Sequence, residues 1–220
     1  MSDALKGLVD LLGLEMLEEN LFRGRSQDLG LPQLFGGQVL GQALSAATQT
    51  VAAERQVHSL HGYFLRPGDA AMPVVYQVDR VRDGGSFTTR RITAIQKGRP
   101  IFFCSASFHG QEHSLSHQAS MPALEATEPG DSDEILRFPG HPIEFRHVED
   151  TAEEGAPARK RLWFRLNGEL PDDPALHRYL LAYSSDFNLL TTALVPHGIR
   201  FGDPKLQIAS LDHSLWFHQD

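Results

Sequence analysis

The stretch FGGQVLGQALSAATQTV, from Phe35 to Val51, predicts the central helix of the fold. Its apolar residues recur at helical spacing, and they are Val39, Leu40, Ala43, Leu44, Ala46 and Ala47. Two glycines, Gly36 and Gly37, begin the helix. A helix start of this kind exposes backbone N–H groups that could hold an oxyanion or a phosphate. The glycines could equally serve close packing of the helix on a sheet, and both interpretations stay open. The spacing of FGGQVLG differs from the G-x-G-x-x-G of dinucleotide sites.

Strand patterns follow this helix. VHSLHGYFL (57–65) predicts a strand that ends at Arg66-Pro67-Gly68. PVVYQVDRV (73–81), SFTTRRITAIQ (86–96) and PIFFCSASF (100–108) predict three more strands, with Gly-containing turns at Asp83-Gly84-Gly85 and Lys97-Gly98. Tight turns between consecutive strands indicate an antiparallel meander. Upstream, the spacing of Leu5, Leu8, Val9 and Leu12 predicts a short docking helix capped by Ser2 or Asp3.

A second set of elements lies beyond a stretch rich in Ser, Glu, Pro and Gly, residues 110–141, which we interpret as a linker. We expect strands at IEFRHV (143–148) and RLWFRLNG (161–168), and a last one at QIASLDHSLWF (207–217). We expect helices at DDPALHRYLLAY (172–183) and SDFNLLTTALVPHG (185–198).

The two halves repeat one order of elements. GGQVLGQAL at residue 36 resembles SDFNLLTTAL at residue 185, and the strand after each carries a histidine followed by an aromatic residue three positions later. These pairs are His61 with Phe64 and His213 with Trp216, and Ser210 is the counterpart of His58. Three strands of the first half have no counterpart after His213. We therefore expect a second half that is cut short, as in a truncated or proteolysed form or a chain whose tail went unseen.

The net charge, the single cysteine and the lack of a long apolar stretch indicate which partners and which cellular compartment to expect. The net charge is −8, which argues against nucleic acid as the main partner because nucleic-acid binding calls for a basic face. The single cysteine, Cys104, cannot form an internal disulfide, which fits a reducing, cytoplasmic environment, and its apolar strand predicts a buried position. No stretch is long and apolar enough to predict a membrane-spanning helix.

Five motifs carry a resemblance to a known family. FRGRSQDLGLPQLFGGQVLGQAL, HGYFLRPGD, RDGGSFTTRRITAIQKGRPIFF, LAYSSDFNLL and QIASLDHSLWFH resemble acyl-CoA thioesterase II, a double hot-dog enzyme. The resemblance implies an α+β fold with two units, each a long helix wrapped by an antiparallel sheet. We place the first unit at residues 1–109, the linker at 110–141 and an incomplete second unit at 142–220. It also implies a homo-oligomer that hydrolyses fatty acyl-CoA without metal or organic cofactor.

The resemblance also implies a site. In that family an Asp, a Thr or Ser hydroxyl and a Gln activate water, which carries over to Asp186 and Ser210, with the Gln expected beyond residue 220. A chain without that Gln is expected to have little activity. From the residues alone, Asp186 could also be an ordinary cap at the start of the second long helix, and Ser210 an ordinary strand serine. No G-x-S-x-G nucleophile elbow occurs, so we assign Ser210 to orienting water.

Other polar residues are weaker candidates for the functional site. His58 is an outside candidate for a base, and on a regular strand His58 and His61 would face opposite sides of the sheet. Arg66, Arg90 and Arg91 could contact CoA phosphates, although arginines are also common on exposed strands.

Two alternative functions stay open at this point. A double hot-dog enoyl-CoA hydratase carries D-x-N-P-[LIV]-H at the same helix start, but here Leu189 replaces the proline and Thr191 replaces the histidine. A non-catalytic hot-dog protein that binds acyl-CoA is the other alternative.

Overall fold

The computed structural model describes residues 1–120, 135–137, 141–149, 155, 157–199, 201–203 and 205–219. The chain forms two compact units, each assembled from separate stretches. The larger unit comprises Leu8–Glu112, Asp172–Phe187 and Ser210–Asp220, and the smaller one Met1–Gly7, His113–Pro171 and Asn188–Ala209. The division at 1–109, 110–141 and 142–220 stays a prediction.

The helices and strands occur in the following order. They are α1 (Asp3–Leu12), β1 (Glu15–Glu18), β2 (Leu21–Gly24), α2 (Gly36–Thr48), β3 (Gln56–Phe64), β4 (Val74–Asp83), β5 (Phe87–Gln96), β6 (Arg99–His109), β7 (Ile135–Arg137), β8 (Ile143–Glu149), β9 (Arg161–Leu166), α3 (Pro174–Ser184), a 3₁₀ segment (Leu190–His197) and β10 (Asp212–Trp216). The Ser2 hydroxyl accepts a hydrogen bond from the Leu5 N–H at 3.3 Å, as expected of the cap of α1.

One seven-stranded antiparallel sheet makes up most of the larger unit, in the order β1-β2-β4-β5-β6-β3-β10. The predicted meander of β4, β5 and β6 is confirmed. Its second turn has positive φ at Lys97 (50°) and Gly98 (70°), the conformation that joins two strands of right-handed twist. The hairpin of β1 and β2 was not predicted, and Asn20 turns it with a φ of 63°.

Helix α2 lies in the core of this unit. Every residue from Gly37 to Ala47 is buried, which confirms the helix predicted from apolar spacing. The core around it is built from side chains of the strands, and its largest buried members are Phe22, Tyr76, Phe102 and Phe108. Cys104 belongs to the same cluster, and burial raises the pKa of its thiol. The architecture of the larger unit is thus a helix wrapped by an antiparallel sheet, as expected for a hot-dog unit.

A buried arginine ties the sheet to the residues that follow α2. Arg90 is 1% exposed, and its Nε donates to the Thr50 hydroxyl at 2.8 Å. Its Nη2 donates to the Thr50 carbonyl and to Asp83, while Nη1 donates to the carbonyls of Arg82 and Thr89. All five guanidinium N–H groups therefore have partners. Arg90 holds the sheet together and is not exposed for a phosphate.

Helix α3 packs against α2 through glycines. Its cap is Asp173, whose carboxylate accepts from the Ala175 N–H at 2.9 Å, and Pro174 occupies the first helical position. On α2, a Cβ at Gly37 would lie 2.2 Å from the Tyr183 carbonyl oxygen, and one at Gly41 would lie 3.0 Å from that of Tyr179. The absence of side chains at these two positions lets the two helices approach.

The smaller unit contains a three-stranded antiparallel sheet in the order β7-β8-β9. Strand β7 lies inside the stretch predicted as a linker. Buried Glu144 of β8 accepts hydrogen bonds from Arg165 at 3.0 Å and from Asn167 at 3.1 Å. In the described part of the chain, no helix is long and apolar enough to cross a membrane.

The helix predicted over residues 185–198 is wrong in type and extent. Only Leu190–His197 is helical, and its form is 3₁₀. The physical reasons lie at both ends, since Asn188 adopts a left-handed φ of 63° and Pro196 cannot donate a backbone hydrogen bond.

Candidate functional site

Asp186 lies just beyond the C-terminus of α3, which corrects the prediction that it begins a long helix. Ser185 caps α3, and the Phe187 N–H bonds the Ser184 carbonyl at 3.1 Å, so Asp186 sits in a tight turn. Its side chain is only 11% exposed. A carboxylate this shielded from water needs nearby polar or charged partners.

A histidine of β10, His213, lies beside this carboxylate. Its Nδ1 lies 3.7 Å from Asp186 Oδ1, and the His213 side chain is 3% exposed. On the opposite side of the ring, Nε2 lies 3.0 Å from the Ser185 hydroxyl oxygen. His213 Nδ1 is buried and has no hydrogen-bond partner in the described part of the chain. No local sequence pattern indicates this contact, although the repeat singled out His213.

The other Asp186 oxygen lies against the start of α2. A Cβ built on Gly36 would be 2.7 Å from Asp186 Oδ2 and 2.9 Å from the Phe64 ring. Glycine is therefore required at residue 36 for the carboxylate and the ring to occupy their positions. Together with the contact of Gly37 to α3, this favours the close-packing interpretation of the two glycines.

Aromatic rings flank Asp186. The ring of Phe35 lies 4.2 Å from that of Phe187 and 5.2 Å from that of Tyr183, centroid to centroid. Burial raises the pKa of Tyr183, so its hydroxyl stays neutral. The acid thus follows α3 beside aromatic rings that are buried or half-buried.

Ser210 lies two residues before β10, which corrects the expectation that it is a strand residue. The Phe64 N–H donates to the Leu211 carbonyl at 2.9 Å, so Ser210 lies at the end of β3 whose Phe64 ring meets Gly36. The Ser210 side chain is half-buried and makes no hydrogen bond within the described residues, with Asp186 or otherwise.

His58 does not join Asp186. A register shift between Val57 and Ser59 marks a β-bulge at His58, and its Nε2 lies 2.8 Å from the Ser107 hydroxyl. The bulge puts His58 and His61 on the same sheet face, the one opposite α2, so the expectation of opposite faces is wrong. Burial, and then the neighbouring His109, lower the pKa of His58.

The strand pairing supports the internal repeat. His213 pairs with Gly62, and Ser214 pairs with His61. In the repeat, His61 corresponds to His213, and Gly62 therefore corresponds to Ser214. Each of these two residues of β3 thus pairs with the counterpart of the other one. This is the pattern of two related strands that cross a two-fold axis. The Asp186 turn meets Gly36 in the same manner, since Gly36-Gly37 is matched to Ser185-Asp186.

Comparison with known proteins gives two family matches. Residues 24–109 match the acyl-CoA thioesterase N-terminal domain, and residues 137–220 match the acyl-CoA thioesterase family. Acyl-CoA thioesterase 2 of Haemophilus influenzae is 40% identical over 100% of this chain and 83% of its own length.

Solved structures agree with this result. The acyl-CoA thioesterase II TesB2 from Mycobacterium marinum is similar, with a TM-score of 0.80 and 43% identity over 97% of this chain and 79% of that one. A hot-dog protein from Alicyclobacillus acidocaldarius has a TM-score of 0.78 at 22% identity, covering 97% and 79% of the two chains. The predicted α+β double hot-dog class is confirmed.

Proposed function

The chain belongs to the acyl-CoA thioesterase family, and we propose that it hydrolyses fatty acyl-CoA to free fatty acid and CoA with a water activated by Asp186 and Ser210. The observation that carries the proposal is the shielded carboxylate of Asp186 beside the aromatic rings of Phe35 and Phe187. A carboxylate in that position can accept a proton from water next to a bound acyl chain.

Hydrolysis of a thioester needs little general-acid catalysis for departure of the leaving group. A CoA thiol has a pKa of about 8.5, by analogy with cysteine, so it leaves as a thiolate with little acid help. The protein must instead position the water, accept its proton and stabilise the oxyanion. We assign the first two tasks to Asp186, with Ser210 orienting the water. The Gln expected beyond residue 220 stays a prediction.

The assay is release of CoA thiol from fatty acyl-CoA by the full-length gene product. We expect Asp186→Asn to lower kcat about 100-fold or more, because positioned general bases contribute about 10²–10⁴. Ser210→Ala should lower kcat by up to about 100-fold, because a reactant displaced by about 1 Å can react about 100-fold more slowly. Asp212→Asn is the matched control, because Asp212 is exposed on the same strand as His213.

Each alternative corresponds to a distinct outcome. A wild-type rate in Asp186→Asn refutes the assignment of Asp186. Saturable acyl-CoA binding without CoA release supports the non-catalytic binder, and hydration of crotonyl-CoA supports the hydratase. Against the hydratase, the Thr191 hydroxyl accepts from Lys160 at 2.9 Å and donates to the Asn188 carbonyl at 2.9 Å, and it supplies no imidazole.

We also propose that the protein forms a homo-oligomer in the cytoplasm, as the resemblance and the lone cysteine suggest. Support for self-association comes from exposed aromatics on the face of the large sheet opposite α2. Tyr63 is 54% exposed and stacks on Phe103 at 5.5 Å. Light scattering on the full-length gene product tests this proposal, and a monomer at micromolar concentration contradicts it.

A further inference from the structure

The Ser185 hydroxyl lies between the end of α3 and His213. Its oxygen lies 2.9 Å from the Ala182 carbonyl oxygen, to which it can donate, and 3.0 Å from His213 Nε2. The tautomer of the ring decides which of Ser185 and Nε2 donates in the second contact.

The other ring nitrogen then faces a carboxylate. In a neutral imidazole with the proton on Nε2, Nδ1 bears a lone pair. Here Nδ1 is buried, has no hydrogen-bond partner in the described part of the chain, and lies 3.7 Å from Asp186 Oδ1. A lone pair opposite a carboxylate would place two acceptors face to face in a shielded site, which is unfavourable.

We propose that His213 is a positioning residue that presents its Nδ1–H to the Asp186 carboxylate. This inference rests on the role of Asp186 proposed above. At 3.7 Å the pair is an electrostatic contact rather than a hydrogen bond, and an N–H that faces the carboxylate offsets part of the cost of shielding it. His213 fixes one oxygen of Asp186, and Gly36 leaves room for the other.

A structural role alone predicts something different. His213 could simply anchor the turn after α3 through the Ser185 hydroxyl. Two amide substitutions separate the roles, because the asparagine amide nitrogen can take the place of Nδ1 and the glutamine nitrogen that of Nε2. His213→Asn keeps a donor towards Asp186 and loses the bond to Ser185. His213→Gln keeps the bond to Ser185 and loses the donor towards Asp186.

The first experiment compares kcat and KM for fatty acyl-CoA in both variants and in Ser185→Ala. We expect His213→Gln to lower kcat about 10- to 100-fold with KM nearly unchanged, and His213→Asn and Ser185→Ala to stay within about tenfold of wild type. Retention of the wild-type kcat by His213→Gln overturns the inference. So does a loss in His213→Asn as large as that in His213→Gln.

A second measurement does not depend on the folding of a His213 variant. The ¹⁵N chemical shifts of the His213 ring in the wild-type protein should show a protonated Nδ1. An unprotonated Nδ1 in the wild type overturns the inference. Full activity in Asp186→Asn instead refutes the proposed function, so the two failures are distinguishable.

Discussion

Replacing Gly37 with alanine should separate α2 from α3 and destabilise the protein. The added Cβ would lie 2.2 Å from the Tyr183 carbonyl oxygen, whereas ordinary contact begins at 3.4 Å, a shortfall of about 1 Å. The obstacle is backbone, so no rotamer change relieves it. Overpacking of this kind costs about 1–3 kcal/mol. Alanine is a better helix former than glycine by up to about 1 kcal/mol, which offsets part of that cost. We expect a net loss of about 1–2 kcal/mol.

The matched control is Gly7→Ala in α1. Gly7 is exposed, and a Cβ there meets no heavy atom within 4 Å, so only the helix-propensity gain of about 0.5–1 kcal/mol remains. Urea unfolding followed by circular dichroism measures both variants against the wild type. The change in the free energy of unfolding should be negative for Gly37→Ala and positive for Gly7→Ala. If Gly37→Ala proves as stable as Gly7→Ala, the close approach of α2 and α3 described above is refuted.

Two further perturbations test other parts of the structure. Arg90→Met should destabilise the protein by about 2 kcal/mol or more, because the Thr50 hydroxyl and carbonyl lose buried hydrogen bonds worth about 1–3 kcal/mol each when unsatisfied. Urea unfolding measures the free energy of unfolding, and Arg91→Met is the control because Arg91 is exposed. Equal losses of this free energy in the two variants would contradict the structural role of Arg90. For pH dependence, burial lowers the pKa of His141 to about 4 from 6.5. The unfolded chain therefore binds the proton first, and stability should fall as pH decreases from about 6.5 towards 4. Between pH 7 and pH 5 the thermal midpoint of the His141→Asn variant should fall less than that of the wild type. The same pH dependence in both proteins would contradict this reasoning.

Local patterns in the sequence were sufficient for most of the large sheet and its helix. The apolar spacing in α2 and the Lys97-Gly98 turn act through nearest neighbours, and both predictions are confirmed. The β1–β2 hairpin was missed because its strands are only four residues long and β1 begins and ends with glutamate. The order of strands also depends on long-range pairing, since β3 pairs with β6 and β10 rather than with β4.

Only part of the candidate site could be predicted. Asp186 and Ser210 came from resemblance to a family, and their roles stay proposals. The Asp186 turn was mistaken for a helix start because an Asp before an apolar run is a good cap pattern. Nothing local shows that Asn188 takes a left-handed conformation and separates α3 from the 3₁₀ segment. The His213 contact joins residues far apart in the chain, and only the folded sheet brings them together.

Glycine at residue 36 makes the two repeats unequal partners. Its missing side chain leaves the space in which the carboxylate from the other repeat sits. An acid at residue 36 would put a second negative charge into the volume that the Asp186 carboxylate already occupies. Under the proposed role of Asp186, the two repeats therefore share one acid at this place, and titration of active sites should count one per chain.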